Sequence, residues 1–177
     1  MNSKLILLCC AAAGFLTSGR ATRANTPLAP LQFLVGDWSG GGETDAGRSR
    51  GVSSIKADLG GHILVRRDHT DLPAPKGRPA ASMDVLMLIY SSPADGRLHA
   101  TYTDSGGHVI QYAAAHVEPG RLVEFDSESP APGVPAFRLT YTATASQDLQ
   151  VKFETAPPGT PAAFHPVAVG TLKRLKK

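Results

Sequence analysis

The stretch Leu31-Gln-Phe-Leu-Val-Gly-Asp-Trp38 decides the fold of this chain, and it holds the only tryptophan in the sequence. Its apolar first half predicts a single helical turn. Gly36 then permits a sharp change in backbone direction immediately before Trp38. The sequence beyond Trp38 is typical of β-structure almost to its end. We therefore expect a β-barrel in which the large ring of Trp38, at the start of the first strand, closes one end.

Ten segments after the helical turn predict β-strands, because apolar and polar residues alternate along most of them and threonine and valine are frequent. The predicted strands are Trp38–Thr44, Arg50–Asp58, His62–Leu72, Met83–Ser91, Leu98–Asp104, His108–Val117, Arg121–Ser127, Ala136–Thr144, Leu149–Thr155 and Phe164–Arg174. Short turns join them, and no long amphipathic helix pattern intervenes, which favours an antiparallel barrel or sandwich over a parallel fold. A barrel of about eight to ten strands is favoured, because closure removes exposed sheet edges.

Three proline-rich connections interrupt the strand pattern, at residues 73–79, 130–135 and 157–161. Proline has no backbone N–H and suits loops better than central strands. We predict that these segments are loops at a barrel rim, where they either gate an opening or simply join strands.

Side chains at alternate positions of a strand share one face, so one set from each strand is expected to face the barrel interior. On this basis we predict a ligand cavity lined by Leu86, Leu88, Tyr90, Tyr102, Tyr112 and Phe137. The segment Met83–Tyr90 is apolar on both faces, and its outer face is therefore expected to be covered by the N-terminal turn, a loop or a second subunit. Both a monomer and a weak homodimer through this strand are compatible with the pattern.

Residues 1–24 have the features of a secretory leader. A positive residue precedes a short apolar stretch, Leu5–Leu16, and the small residues that follow predict cleavage near Ala21 or Ala24. The apolar stretch is shorter than the ~20 residues that a membrane-spanning helix needs. We therefore expect residues 25–177 to form one domain that is periplasmic or secreted.

Charge argues against a nucleic-acid partner. The whole chain has 18 Lys and Arg against 15 Asp and Glu, but three of the basic residues lie in the predicted leader, which has no acidic residue. Its removal leaves 15 basic against 15 acidic residues, so no basic face remains for a phosphate backbone. Cys9 and Cys10 also lie in the leader, and the mature chain is expected to have no disulfide and no thiolate metal ligand.

Gly36-Asp37-Trp38 resembles the Gly-X-Trp signature of lipocalins and of the wider calycin group. In that group a basic residue of the last strand packs over the tryptophan, and the resemblance implies Arg174 for this role. A guanidinium over an indole face stabilises a fold by ~0.5–2 kcal/mol. Gly36, Trp38 and Arg174 are therefore expected to close the barrel together.

A longer pattern resembles a family of bacterial secreted lipocalin-like proteins that carry a domain of unknown function. It comprises Leu31–Glu43, Leu59–Val65 and Tyr90–Leu98, in that order and at similar spacing. The resemblance implies a lipocalin-like (calycin) β-barrel with an interior cavity. It implies no catalytic residues.

The chain is also similar, more distantly, to nitrobindin-like haem-binding barrels, which share the Gly-X-Trp signature followed by a glycine-rich run such as Gly40–Gly42. Those proteins ligate haem iron through a histidine near the C-terminus, and the resemblance implies His165 for that role. Haem is therefore the alternative cofactor, whereas the principal prediction includes no cofactor and no metal.

The histidines supply the only enzymatic alternative. His108 and His116 are an even number of residues apart, so they and Tyr112 are expected on one strand face, and the enzymatic alternative is an isomerase or hydrolase that uses these residues. No His-Glu-X-X-His spacing is present. Arg66 and Arg67 face opposite ways in a strand. Surface placement is the default for both, with an inward arginine that meets a ligand carboxylate as the alternative.

The leading functional prediction is a secreted or periplasmic protein that binds a small, mostly apolar molecule in a barrel cavity, with no catalytic residues assigned. Three alternatives stand beside it. They are haem binding through His165, an enzyme that works inside the cavity, and a packed barrel that acts through its rim loops.

Overall fold

A computed structural model of the chain describes residues 26–44, 47–74, 79–128 and 132–176. The predicted leader, with Ala21, Ala24 and both cysteines, lies outside these residues. Within the described ranges, no helix is long and apolar enough to cross a membrane.

Eleven β-strands in the described part of the chain form a single antiparallel sheet. They are β1 (Gly36–Thr44), β2 (Gly47–Arg48), β3 (Arg50–Asp58), β4 (Ile63–Leu72), β5 (Ala81–Ser91), β6 (Leu98–Asp104), β7 (Val109–Glu118), β8 (Leu122–Ser127), β9 (Ala136–Ala143), β10 (Leu149–Ala156) and β11 (His165–Arg174). The short β2 pairs only with β1, whereas the others pair with their neighbours in the chain, and β11 pairs back with β1. The predicted antiparallel barrel is therefore confirmed, as a closed barrel of ten strands.

Glycines allow the barrel to close at the β1–β11 seam, where Gly40 pairs with Leu172 and Gly42 pairs with Gly170. A Cβ atom on Gly40 or Gly42 would collide with a backbone carbonyl of β11, and one on Gly41 would collide with the carbonyl of Ser49. The run Gly40–Gly42 therefore serves the close approach of β1 to both of its neighbours.

An N-terminal 3-10 helix, Ala29–Leu34, plugs one end of the barrel. Leu28, Leu31 and Leu34 are almost completely shielded from solvent. The backbone N–H of Gly120 donates to the carbonyl of Pro30 at 2.8 Å, which ties the plug to the β7–β8 turn. The helical turn predicted from the apolar residues before Gly36 thus packs its leucines into the barrel.

The half of the barrel next to the plug is filled with apolar side chains. Fully buried members of this core include Trp38, Ile55, Leu64, Ile89, Val123 and Leu149. Each fully buried Leu, Ile or Val side chain contributes ~1.5–3 kcal/mol to stability. The opposite half is not filled in this way, and it holds the candidate site.

Strand β5 has the opposite phase to the one predicted. Val85, Met87 and Ile89 are buried, whereas Leu86, Leu88 and Tyr90 are half-buried on the outer face. Because both faces of this strand are apolar, its alternation carries no information about which set faces inward. The placement of Leu86, Leu88 and Tyr90 in the cavity is corrected accordingly.

Strand β7 contains a bulge, and the prediction that Tyr112 and His116 lie on one face of this strand is therefore wrong. The register with β8 shifts between Ala114 and His116, so positions beyond the bulge change faces. Tyr112 is buried inside the barrel, but His116 is exposed and lies 3.3 Å from the carboxylate of Glu118. His116 and Tyr112 therefore do not form a shared site.

Candidate functional site

The end of the barrel opposite the helical plug contains a cavity of about 650 Å³. Most of its wall is apolar, with side chains that include Leu72, Val85, Ile110, Leu139, Val151 and Phe153. Successive hairpins of an up-and-down barrel alternate between its two ends. The β10–β11 connection and the described parts of the β4–β5 and β8–β9 connections therefore lie at this end, whereas residues 75–78 and 129–131 of these proline-rich connections lie outside the described residues.

Three of the six predicted cavity residues line this space, and three do not. Tyr102, Tyr112 and Phe137 are part of the wall, and the Phe137 ring stacks on the Phe153 ring at 5.7 Å between centroids. Leu86, Leu88 and Tyr90 are absent from the wall, where Met83 and Val85 represent β5 instead.

An ion pair between Arg66 and Asp68 is built into the cavity wall. The Arg66 Nε donates to Asp68 Oδ1 at 3.0 Å, its Nη2 pairs with Asp68 Oδ2, and its Nη1 donates to the Tyr141 hydroxyl. The Ser53 hydroxyl donates to Asp68 Oδ1 at 2.6 Å. Only 12% of the Arg66 side chain and 8% of the Asp68 side chain are exposed, so the surface placement expected for Arg66 is corrected.

Electrostatics keep this buried arginine charged. Burial alone would lower the pKa of Arg66, but the charge of Asp68 and the bonds between the two groups raise the pKa well above its ordinary value. Burial also raises the pKa of the Tyr141 phenol to about 12. The cavity wall therefore contains a fixed, internally neutralised ion pair backed by a neutral phenol.

A second polar group lies at the mouth, where β6 ends. The Tyr102 hydroxyl donates to Asp104 Oδ2 at 3.0 Å, and His108 Nδ1 lies 3.0 Å from Asp104 Oδ1. Backbone N–H groups of Gly106 and His108 also donate to this carboxylate. Burial opposes ionisation, yet the bonds from His108 and Tyr102 outweigh it and lower the pKa of Asp104. These bonds stabilise the β6–β7 turn.

Tyr112 differs from Tyr102, the other tyrosine of the cavity wall, because its hydroxyl has no hydrogen-bond partner among the described residues. The residue is only 1% exposed, it lines the cavity, and its ring packs edge-on against Phe125 at 6.4 Å. Burial raises the pKa of this phenol far above its ordinary value, so the hydroxyl keeps its proton and remains a donor.

The predicted barrel-closing residues meet at the plugged end. The Arg174 guanidinium lies 4.1 Å from the centre of the Trp38 ring, and the Trp38 indole N–H donates to the Leu34 carbonyl at 3.0 Å. A Cβ atom on Gly36 would collide with the Arg174 guanidinium. This cluster therefore joins the plug, the first strand and the last strand, and it lies outside the cavity wall.

Of the residues expected for haem or catalysis, His108 and Tyr112 line the cavity, whereas His116 and His165 do not. His165 is the exposed first residue of β11 and is absent from the cavity wall, so its position does not fit a haem ligand inside the barrel. His108 is 73% exposed and is held by Asp104 at the mouth. Within the described residues, no three His, Cys, Asp or Glu side chains come together in a group able to hold a metal ion.

A Gly-X-Ser-X-Gly spacing at Gly47–Gly51 falls beside the cavity, where Ser49 is buried. The segment runs from β2 into β3 and is not followed by a helix, unlike a nucleophile elbow. The Ser49 hydroxyl bonds to the backbone of Gly42 rather than to a basic side chain. It therefore connects the β2–β3 junction to β1, and no base is placed to activate it as a nucleophile.

Comparison with protein-family models gives no match, and comparison with curated proteins gives none either. The architecture of the chain is a closed antiparallel barrel on the evidence of its own structure. The lipocalin-like family and the nitrobindin-like likeness drawn from sequence motifs stay predictions.

Proposed function

We propose that this protein binds a small, mostly apolar molecule inside the barrel, as a lipocalin-like carrier or sensor that acts outside the cytoplasm. The observation that carries the proposal is the cavity of about 650 Å³ above the packed half of the barrel. That volume lies within the ~300–1,000 Å³ range of small-molecule sites, and its wall combines many apolar side chains with a few fixed polar groups, as such sites do.

The energetics favour an apolar ligand over a charged one. Transfer of apolar surface from water into the cavity is favourable by about 25 cal/mol per Å². The wall offers Val85, Ile110, Leu139 and Val151 for such contacts. Its ion pair, Arg66 with Asp68, is already neutralised within the protein.

The proposal is tested by titration of the purified protein with Nile red, a neutral apolar dye that fluoresces in apolar surroundings. A matched pair of variants locates the bound dye. Val85→Phe adds bulk on the inner face of β5 and is expected to weaken Nile red binding at least ~5-fold, because an added side chain removes volume from the cavity. Leu86→Phe adds a similar bulk to the outer face of the same strand and is expected to leave binding unchanged.

Circular dichroism establishes that each variant is folded before it is titrated. A folded wild-type protein that takes up no Nile red would overturn the proposal. If Nile red binds the Val85→Phe and Leu86→Phe variants with equal affinity, the dye binds outside the cavity, and this result would also overturn the proposal.

A further inference from the structure

The polar groups of the cavity restrict the chemistry of the ligand that it takes. Among the described residues of the wall, Arg66 is the one residue with a permanent positive charge, and Asp68 and Asp104 are carboxylates. Each nitrogen of the Arg66 guanidinium already donates to a protein group, two to Asp68 and one to Tyr141. The positive charge of Arg66 is thus balanced within the protein by Asp68 and is not available as a free cation for an anionic ligand.

Asp104 reinforces this restriction at the mouth. Its side chain is only 5% exposed and accepts hydrogen bonds from Tyr102 and His108. A ligand carboxylate inside the cavity would add a third negative charge near Asp68 and Asp104 without a free cation to balance it. Burial of such an unpaired charge is strongly unfavourable. The sequence-based expectation of an inward arginine that meets a ligand carboxylate therefore does not fit Arg66, because Asp68 already balances its charge.

Tyr112 supplies the one polar group of the wall that is both deeply buried and unused. Its hydroxyl belongs to a side chain that is 99% shielded from bulk solvent, since the residue is only 1% exposed, and it has no acceptor among the described residues. Within the described residues, the buried side-chain atoms without a partner comprise Glu154 Oε2 and not the Tyr112 hydroxyl, so this hydroxyl is accessible from the cavity, where it can bond to water. A ligand that fills the cavity displaces such water. An acceptor on the ligand replaces the lost hydrogen bond, whereas a pure hydrocarbon leaves the hydroxyl unpaired at a cost of about 1–3 kcal/mol.

We propose that the ligand is an uncharged carbonyl compound, such as a long-chain ketone, aldehyde or ester, whose oxygen accepts a hydrogen bond from the Tyr112 hydroxyl while its apolar part fills the cavity. This inference rests on the proposed function, because it assigns the polarity of the molecule that the cavity binds. It names Tyr112 as the residue that distinguishes carbonyl compounds from hydrocarbons, and the neutralised Arg66–Asp68 pair as the feature that disfavours anions.

The test compares three ligands with similar chains but different ends, namely decane, 2-decanone and decanoate, each measured by displacement of bound Nile red at pH 7. The wild-type protein is expected to bind 2-decanone ~3–10-fold more tightly than decane, the ratio that corresponds to one net hydrogen bond. Decanoate is expected to bind more weakly than 2-decanone.

Two tyrosine variants make the assignment specific. Tyr112→Phe keeps the ring against Phe125 and removes only the hydroxyl, so it is expected to abolish the preference for 2-decanone over decane while decane binds as before or better. Tyr90→Phe removes a hydroxyl from the outer face of β5 and is expected to change none of the three affinities. Circular dichroism and urea unfolding confirm that both variants are folded.

The outcomes separate this inference from the proposed function. If none of the three ligands displaces bound Nile red, the dye occupies a different site and the proposed function itself fails. If decane and 2-decanone bind equally to the wild-type protein, the cavity binds ligands but Tyr112 does not select them. A preference for 2-decanone that survives in Tyr112→Phe, or tighter binding of decanoate than of 2-decanone, would also overturn the inference.

Discussion

The guanidinium of Arg174 lies 4.1 Å from the centre of the Trp38 ring, and the two residues are direct partners across the β1–β11 seam. Arg174 also donates to the carbonyl of Val35 at 2.7 Å, at the exit of the helical plug. Because Arg174 stands on the last strand and Trp38 on the first, these contacts exist only in the closed barrel. They couple closure of the sheet to docking of the plug.

Loss of this contact is expected to destabilise the barrel moderately. Arg174→Ala removes the ring contact and the bonds to Val35 and Phe33, and because the arginine is solvent-exposed we expect a decrease of about 1–2 kcal/mol in the free energy of unfolding. The free energy of unfolding is measured by urea titration, with Trp38 fluorescence as the signal. The control is Lys173→Ala on the neighbouring residue, which pairs with Ser39, and an equal effect of the two variants would contradict the role assigned to Arg174.

Gly36 is expected to act through Arg174. A Cβ atom at Gly36 would occupy the position of the guanidinium, so Gly36→Ala must displace the Arg174 side chain. Alanine also strains the backbone at this position, where φ is +158°. We therefore expect Gly36→Ala to destabilise the protein at least as much as Arg174→Ala, and the double variant to be no less stable than Gly36→Ala alone within ~0.5 kcal/mol. Urea unfolding of the three variants completes the cycle. If the two losses of stability are additive, the effect of Gly36→Ala does not act through the Arg174 side chain.

The sequence predicted the strands and the closure well, for reasons visible in particular residues. Turn glycines such as Gly96 and Gly120 adopt positive φ values of 69° and 75° at hairpin ends, where glycine carries little strain. Arg174 was predicted through the resemblance of Gly36-Asp37-Trp38 to the Gly-X-Trp signature, because proteins with that signature place a basic residue of the last strand over the tryptophan. Local strand patterns predicted the barrel, and this resemblance predicted its closed end.

The same patterns failed where inward and outward residues cannot be told apart. β5 is apolar on both faces, so nothing in its sequence distinguishes Val85 from Leu86, and the inward set depends on its register with β4 and β6. The bulge between Ala114 and His116 could not be predicted, because no glycine marks its position in the sequence. Arg66 was expected on the surface because arginine is rarely buried unless it is paired with an acidic residue. The signal available was the two-residue spacing from Asp68, which places both on one strand face.

The Arg66–Asp68 pair yields a large predicted effect on stability. Arg66→Met removes the cation and leaves the Asp68 carboxylate buried, with Ser53 as its remaining hydrogen-bond donor among the described residues. We expect a loss of ~3–5 kcal/mol, as for other buried pairs broken on one side. The double variant Arg66→Met with Asp68→Leu removes both charges and is expected to recover most of that loss.

Thermal and urea unfolding of these two proteins, compared with wild type, measures the difference. The outer-face neighbour provides the control, because Arg67→Met changes the same residue type on the opposite side of β4. A double variant that is less stable than Arg66→Met would show that the pair contributes more than mutual neutralisation.

Asp104 is expected to make the stability of the protein depend on pH in the acidic range. Its pKa in the folded protein lies below the ordinary value of 3.8, because hydrogen bonds from His108 and Tyr102 outweigh the effect of burial. The unfolded chain therefore takes up its proton at a higher pH than the folded one does. The stabilisation is complete above about pH 5 and is lost as the pH falls through the folded-state pKa.

The measurement is the difference in unfolding free energy between wild type and Asp104→Asn, taken from urea titrations between pH 6 and pH 3. Other carboxylates contribute equally to both proteins and cancel in this difference. We expect a constant gap above about pH 5 that narrows below pH 4. His108→Ala keeps the backbone donors at Gly106 and residue 108, so it should retain part of the pH-dependent gap. A gap that stays the same across the whole range would mean that Asp104 is not held ionised by these bonds.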